Sequence, residues 1–137
     1  MNRVWRFIDT SYWIALTDTG DQYHARAQSL AARIEPPFVT TDVVLLEVGN
    51  ALSAMRWREI GVALLADIRA SQDVEIVHLD PELFARAVEL YSTRPDKEWG
   101  LIDCVSFIVM QDRGITEALA ADQHFIQAGF RALLREG

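Results

Sequence analysis

The sequence has little of what several common protein classes require. Its single cysteine, Cys104, excludes a disulfide framework and any zinc or iron–sulfur site that needs several cysteine ligands. Its longest apolar runs are too short to span a bilayer, and its first residues (MNRVWRFIDT) lack the apolar stretch of a signal peptide. These absences predict a cytoplasmic protein with no membrane segment.

Motifs of several enzyme classes are also missing. The chain has no HxxxH metal pair, no G-x-S-x-G turn and no glycine-rich phosphate loop, so zinc peptidases, serine hydrolases and nucleotide-binding proteins have no support. Positive charge is scarce as well, because 13 Lys+Arg against 20 Asp+Glu give a net charge of −7. That balance argues against broad binding to nucleic-acid backbone. It leaves open a nucleic-acid enzyme whose positive charge comes from bound metal.

What the chain does contain is an alternation of short β-type and longer helical segments. Its 137 residues, 50% of them hydrophobic, fit a single domain over residues 1–137. The predicted strands cover residues 4–8, 38–40, 74–79, 117–121 and 130–134. The predicted helices cover residues 11–17, 22–34, 42–56, 58–71, 81–93, 101–112 and 122–129. This order predicts an α/β fold with a parallel sheet and helices on both of its faces.

Four acidic residues stand where a carboxylate is costly. Asp9 ends the first apolar strand, and Asp122 directly follows EALAA. Glu47 lies within VVLLEVGNAL, and Asp103 lies within LIDCVSFIVM. At helical spacing the latter two point along largely apolar faces, where an uncompensated charge is expensive to bury.

All four acids are expected at one edge of the sheet. Asp9 and Asp122 follow the carboxyl ends of two strands, and Glu47 lies on the helix that leaves a third. Asp103 begins a helix that runs back toward an amino end, so it starts at the same edge, where parallel sheets bind ligands. Carboxylates so close would repel each other and raise each other's pKa values. A hard divalent cation such as Mg²⁺ or Mn²⁺ would relieve that repulsion.

Each acid also has an ordinary structural explanation. Asp9 and Asp122 could simply be helix caps, because aspartate is among the preferred residues at that position. Glu47 could be satisfied by an internal hydrogen bond or by an arginine partner. Only the cation site requires all four acids to meet in one place.

The acids and their flanking residues, in this order, resemble the PIN-domain ribonucleases, and most closely the VapC-type toxins of bacterial toxin–antitoxin pairs. FIDTSYWIAL is similar to the first motif of that family, with Asp9 as the leading metal ligand. TTDVVLLEVGNAL is similar to the second motif, with Glu47 as the acid and Asn50 one turn later. The stretch DKEWGLIDCVSFIVMQDRGITEALAADQHFIQAGFRAL resembles the third and fourth motifs, with Asp103 and Asp122 as their acids.

The resemblance implies a three-layer α/β/α fold with a central parallel sheet of about five strands in the order 3-2-1-4-5. It also implies Mg²⁺- or Mn²⁺-dependent cleavage of RNA, dimerisation and inhibition by a cognate antitoxin protein. Two positions depart from the family pattern: Ile102 and Ala120 stand where the family usually has a hydroxyl residue. Those hydroxyls would orient the carboxylates, so their loss keeps open a PIN-like binding module that no longer catalyses.

The four acids suggest metal-assisted hydrolysis of phosphodiester bonds. Asp9 and Asp103 are expected to be the core metal ligands, with Glu47 and Asp122 binding a second ion or ordering its waters. A bound metal would lower the pKa of a water that attacks phosphorus in line. A phosphodiesterase acting on DNA is the alternative within this chemistry.

Other residues are expected to support this chemistry or to lie near it. Thr10 and Asn50 are candidates to hydrogen-bond around the metal ligands. Candidate phosphate contacts, with ordinary surface charges as the alternative, flank the helices that carry two of the acids: Arg56, Arg58, Arg94 and Lys97. Tyr12 and Trp13 are interpreted as core residues or as dimer or antitoxin contacts. His124 follows Asp122 by two residues and could approach the same edge, but it is interpreted as a packed or solvent-exposed residue and left out of the site.

Overall fold

A computed structural model describes residues 3–137 and shows a five-stranded parallel sheet in the order β3-β2-β1-β4-β5. The strands are β1 Arg6–Ile8, β2 Phe38–Thr41, β3 Val74–Val77, β4 Glu117–Leu119 and β5 Arg131–Ala132. The helices are α1 Thr10–Thr17, α2 His24–Ala31, α3 Asp42–Ala51, α4 Met55–Ala70, α5 Pro81–Thr93, α6 Leu101–Asp112 and α7 Gln123–Gln127, and a 3-10 turn covers Leu133–Arg135. The α/β class and the strand order expected from the sequence are confirmed.

The core is built on the central strand and on the most apolar helix. Phe7 in β1 is fully buried, and its ring lies 6.3 Å from that of Phe125. Helix α6 is buried from Cys104 to Met110, as its apolar sequence predicts. Phe107 of that helix meets the rings of Trp99 and Phe125 edge to face, each at 5.1 Å between centroids. These contacts fix α6 against the sheet.

Polar caps place several helix starts at the carboxyl edge of the sheet. Thr41 follows directly from β2 into α3, and its hydroxyl accepts from the N–H of Val44 at 3.0 Å. Asp9 caps α1 and Asp122 caps α7, each just beyond the end of a strand. The same short connections therefore start the helices and bring acidic side chains to one edge.

The predicted helix over residues 42–56 is wrong in its extent, because α3 ends at Ala51 and α4 begins at Met55. Leu52 turns back there and packs against Gly61, where a Cβ would lie only 3.1 Å from the Cβ of Leu52. The hydroxyl of Ser53 donates to the carbonyl of Asn50 at 2.7 Å and closes the turn. No proline marks this bend, so the break between the two helices was expected later, near residue 57.

Two other predictions need correction. The helix expected over residues 22–34 is shorter, because Asp21 accepts from the N–H of Tyr23 at 2.8 Å and holds a turn ahead of α2. Tyr12 and Trp13 are each only 6% exposed, so they are core residues and offer no interface surface. Among the described residues, no helix is both long and apolar enough to cross a bilayer.

Candidate metal centre

The four acids predicted to converge do line a common cavity. This cavity has a volume of about 300 Å³ and lies at the carboxyl edge of the sheet. Its lining consists of the four acids and the start of α6: Asp9, Glu47, Gly100, Leu101, Ile102, Asp103 and Asp122. Residues from distant parts of the chain thus build one acidic site.

Asp9 is the most buried of the four, with a relative exposure of 7%. Its Oδ2 accepts from the hydroxyl of Ser11 at 2.7 Å and from the N–H of Ser11 at 3.3 Å. Burial raises the pKa of Asp9 to about 6, the charges of Asp103 and Glu47 add to that rise, and the bonds from Ser11 oppose it. A buried charge with this pKa is expensive in the absence of a cation.

Glu47 is half-buried on α3, and its Oε1 accepts a hydrogen bond from the hydroxyl of Thr10 at 2.5 Å. The predicted support from Thr10 therefore has a structural basis. The apolar face expected around Glu47 is wrong in part, because Ala51, one turn later on the same face of the helix, is exposed. Asn50 is exposed one turn after Glu47.

Asp103 and Asp122 meet a third side chain that the sequence interpretation left out. His124 Nδ1 lies 3.0 Å from Asp103 Oδ2 and 3.3 Å from Asp122 Oδ1. Burial raises the pKa of Asp103, while the hydrogen bond with His124 and the N–H of Gly100 at 3.2 Å oppose the rise. One ligand atom from each of Asp103, Asp122 and His124 lies within 4.8 Å of the others. The sequence feature that could have indicated this contact is the position of His124 two residues after Asp122, in the first turn of α7.

Each carboxylate is held through one oxygen, and its second oxygen has no hydrogen-bond partner within residues 3–137. The held oxygens are Asp9 Oδ2, Glu47 Oε1, Asp103 Oδ2 and Asp122 Oδ1. The acids are thus fixed in position and keep oxygens free for a cation. The cap explanation for Asp9 and Asp122 is correct as well, so capping and lining the cavity are compatible roles.

Apart from His124, which is charged only if protonated, basic side chains do not neutralise this cluster. In the described part of the chain, the ion pairs formed by lysine and arginine involve other acids. Arg135 is the arginine that hydrogen-bonds to the backbone beside the site, donating to the carbonyl of Ala121 at 3.0 Å. The explanation of Glu47 by an arginine partner is therefore excluded, whereas its internal hydrogen bond to Thr10 is present.

The four predicted phosphate contacts have local partners. Arg58 donates to the carbonyl of Ser53 at 2.7 Å, and Arg56 lies over the ring of Trp57 at 5.6 Å. Arg94 bonds to Asp96 at 3.0 Å and stacks on Trp99 at 5.0 Å. Lys97 lies 3.9 Å from Asp96. Their role in binding stays a prediction.

Fold and site together define an α/β protein with an acidic centre at the carboxyl edge of its sheet. The chain belongs to the PIN-domain family, whose model matches residues 6–131. Within that family it is similar to 23S rRNA-specific endonuclease VapC20 of Mycobacterium tuberculosis, with 36% identity over 124 residues, covering 90% of this chain and 94% of the relative. The expectation of a PIN-domain nuclease of the VapC type is therefore confirmed.

Solved structures agree with this assignment. The crystal structure of Mycobacterium tuberculosis VapC20, described as a sarcin-ricin loop cleaving toxin, superposes with a TM-score of 0.86 at 36% identity and covers 92% of this chain and 96% of that one. A toxin–antitoxin complex from Klebsiella pneumoniae gives a TM-score of 0.60 at 16% identity, with 86% and 87% coverage. The second similarity supports the fold alone.

Proposed function

We propose that this protein is a Mg²⁺- or Mn²⁺-dependent endoribonuclease that hydrolyses RNA at the four-carboxylate cavity and acts as a toxin neutralised by a cognate antitoxin. The observation that carries the proposal is the meeting of Asp9, Glu47, Asp103 and Asp122 around one cavity without a lysine or arginine of the described chain to balance them. Structural acids are normally paired, whereas these acids are fixed and left partly unsatisfied.

The residues present fit a hard divalent cation. The free oxygens of the four carboxylates form an oxygen-rich donor set, which Mg²⁺ and Mn²⁺ prefer. When bound, such an ion lowers the pKa of a coordinated water and stabilises charge that develops on the phosphate. Asp9 and Asp103 are proposed as its core ligands, and Glu47 and Asp122 as ligands of a second ion or of its waters.

The chain's own residues have defined tasks in this proposal. Ser11 and Thr10 hold Asp9 and Glu47 by hydrogen bonds, so that these carboxylates do not need to reorganise when the substrate arrives. Ile102 lines the cavity without a hydroxyl group. Binding of RNA must come from cationic groups outside the acidic cavity, because four carboxylates repel phosphate.

The relative at 36% identity is named for cleavage of 23S rRNA. Because its crystal structure is described as that of a sarcin-ricin loop cleaving toxin, we infer that this loop of 23S rRNA is the first substrate to test. The experiment incubates purified protein with ribosomes, isolated 23S rRNA and DNA of the same loop sequence, each with Mg²⁺, Mn²⁺ or EDTA. Cleavage of RNA that requires the metal is expected.

Matched variants make this experiment specific. Asp103→Asn is expected to abolish cleavage, whereas Asp67→Asn, on the exposed surface of α4, is expected to leave it unchanged. Equal cleavage in EDTA would contradict the metal centre. Preferential cleavage of DNA would favour the alternative phosphodiesterase. No cleavage by a folded protein would favour the binding module that Ile102 and Ala120 keep open.

An antitoxin and a homodimer are proposed from the family. A surface that suits an apolar partner segment is a groove of about 370 Å³ formed largely by Leu45, Leu46, Leu65 and Ile76. Leu46 is 70% exposed there. Co-expression with the product of the gene immediately upstream should give a copurifying, inactive complex. Light scattering of the free protein tests the homodimer, and a monomeric mass would reject it.

A further inference from the structure

The side chain of His124 faces two of the four acids from the first turn of α7. Its Nδ1 lies 3.0 Å from Asp103 Oδ2 and 3.3 Å from Asp122 Oδ1. Its backbone N–H donates to Asp122 Oδ1 at 2.9 Å, so the cap that starts α7 also fixes where this side chain begins. The His124 side chain is 21% exposed, which leaves it accessible to an ion entering from solvent.

These spacings are those of neighbouring ligands around one ion. Two ligands at right angles, each about 2.1 Å from a metal, lie about 3 Å apart. The described residues contain one group of three His, Cys, Asp or Glu residues whose ligand atoms lie within 4.8 Å of one another, and it consists of Asp103, Asp122 and His124. Asp9 and Glu47 lie outside that tight group although they line the same cavity.

We propose that His124 is itself a metal ligand through Nδ1, and that with Asp103 and Asp122 it makes the centre select Mn²⁺ over Mg²⁺. This proposal rests on the metal-dependent function proposed above and specifies its donor set. Neutral imidazole binds first-row transition metals well, whereas Mg²⁺ strongly prefers oxygen ligands. Coordination through Nδ1 uses the tautomer that carries its proton on Nε2, so Nδ1 then makes no hydrogen bond to Asp103 Oδ2 and that oxygen becomes available to the ion.

The alternative role for His124 is to orient the two carboxylates by hydrogen bonds without touching the ion. The two roles predict different nitrogen signals and different metal preferences. A ligand places nitrogen in direct contact with Mn²⁺ and improves binding of Mn²⁺ more than binding of Mg²⁺. A hydrogen-bonding residue places no nitrogen on the ion and affects both ions similarly.

The experiment uses Mn²⁺ alone as the probe, with the full chain. Pulsed electron paramagnetic resonance of the Mn²⁺-loaded protein is expected to show the coupling of a directly bound ¹⁴N. The coupling should be lost in His124→Gln and kept in His78→Gln, which changes an exposed histidine that faces Asp42. By calorimetry, His124→Gln should lower affinity for Mn²⁺ at least about tenfold and affinity for Mg²⁺ much less.

Several results would overturn the proposal. These are Mn²⁺ binding without ¹⁴N coupling in the parent protein, coupling that survives in His124→Gln, and equal losses of Mn²⁺ and Mg²⁺ affinity. Circular dichroism checks the fold of each variant, and His124→Asn replaces His124→Gln if the latter does not fold. Mn²⁺-dependent RNA cleavage without nitrogen coupling would reject the role of His124 alone, whereas absence of any metal binding would reject the proposed function with it.

Discussion

The hydroxyl of Ser11 joins Asp9 to the neighbouring strand connection. It donates to Asp9 Oδ2 at 2.7 Å and accepts from the N–H of Ala121 at 2.9 Å. Asp9 follows β1, and Ala121 follows β4 and directly precedes Asp122. One side chain therefore fixes the spacing between the connections that carry two of the four acids.

Replacement of Ser11 by alanine should loosen this link. Ser11→Ala removes both hydroxyl bonds, so we expect the free energy of unfolding to fall by about 1–2 kcal/mol at pH 7. The pKa of Asp9 should rise further, because the side-chain bond from Ser11 lowers it. Urea unfolding measures the first effect. The control is Ser29→Ala on the exposed surface of α2, and an equal effect of both substitutions would contradict this role of Ser11.

Asp9 should make the metal-free protein less stable as pH rises. Burial raises its pKa from 3.8 to about 6, so over this range the folded state binds more protons than the unfolded state. Stability must then fall with increasing pH, by about 2 kcal/mol between pH 4 and pH 7 for this group. Asp9→Asn removes the titrating charge and keeps an oxygen acceptor. Its stability should therefore be less pH-dependent, and higher at pH 7 in EDTA.

The comparison is made by urea unfolding in EDTA at closely spaced pH values. Asp67→Asn is the control, because Asp67 lies exposed on α4. It should retain the pH dependence of the parent protein. If Asp9→Asn also retained it, Asp9 would not be the carboxylate with the raised pKa.

The sequence predicted the bounds of helices correctly where it contains residues that typically start or end a helix. Asp80 followed by proline marks the start of α5, and the observed bounds Pro81–Thr93 agree with the prediction. The bounds of α6 agree as well. A break between α3 and α4 was expected near residue 57. Its actual position after Ala51 was not predictable, because it depends on the contact of Leu52 with Gly61, which forms only when the two helices pack.

The candidate site was likewise predictable in part, namely in the positions of its acids along the chain. Asp9 and Asp122 could be placed because each follows a strand, and the carboxyl ends of parallel strands share an edge. The contacts of His124 with Asp103 and Asp122 depend on the direction of one side chain in the five-residue helix α7, which is too short to show a periodic sequence pattern. Strand ends are thus readable from sequence, whereas individual side-chain contacts across the edge are not.

Divalent metal should stabilise the protein through Asp103. Since a ligand that binds only the folded state adds about 2.7 kcal/mol at one hundred times its dissociation constant, Mn²⁺ should raise the melting temperature by several degrees. Asp103→Asn should abolish this rise. Its melting temperature in EDTA should not fall much, because the substitution also removes a partly buried charge that other acids repel. Differential scanning calorimetry measures both temperatures.

Measuring the melting temperature with and without Mn²⁺ separates the stabilisation by bound metal from other effects of the substitution. A general loss of packing would lower the melting temperature with and without Mn²⁺. Asp67→Asn should keep the full rise, because it lies outside the cavity. A full rise in Asp103→Asn would place the ion elsewhere.

Arg135 should contribute to RNA binding more than the arginines that were predicted from sequence. It is exposed, and its Nη1 is held beside the site by the carbonyl of Ala121 at 3.0 Å and by the hydroxyl of Tyr23 at 3.3 Å. A guanidinium so placed can contact a phosphate next to the cavity through its remaining N–H groups. Arg135→Ala should therefore weaken binding of the sarcin-ricin loop RNA and reduce the salt dependence of its affinity, by about one unit of slope at most.

The same titrations rank the other candidates. Arg56→Ala combined with Arg58→Ala should have the smaller effect, since these side chains are held by Trp57 and Ser53, which do not line the cavity. Arg33→Ala is the matched control: Arg33 is exposed near the start of β2, at the opposite edge of the sheet. Fluorescence anisotropy in EDTA over a range of salt concentrations separates binding from cleavage. Equal slopes for Arg135→Ala and Arg33→Ala would mean that RNA approaches the carboxylates from another side, and a larger effect of the Arg56 and Arg58 pair would place that side at the start of α4.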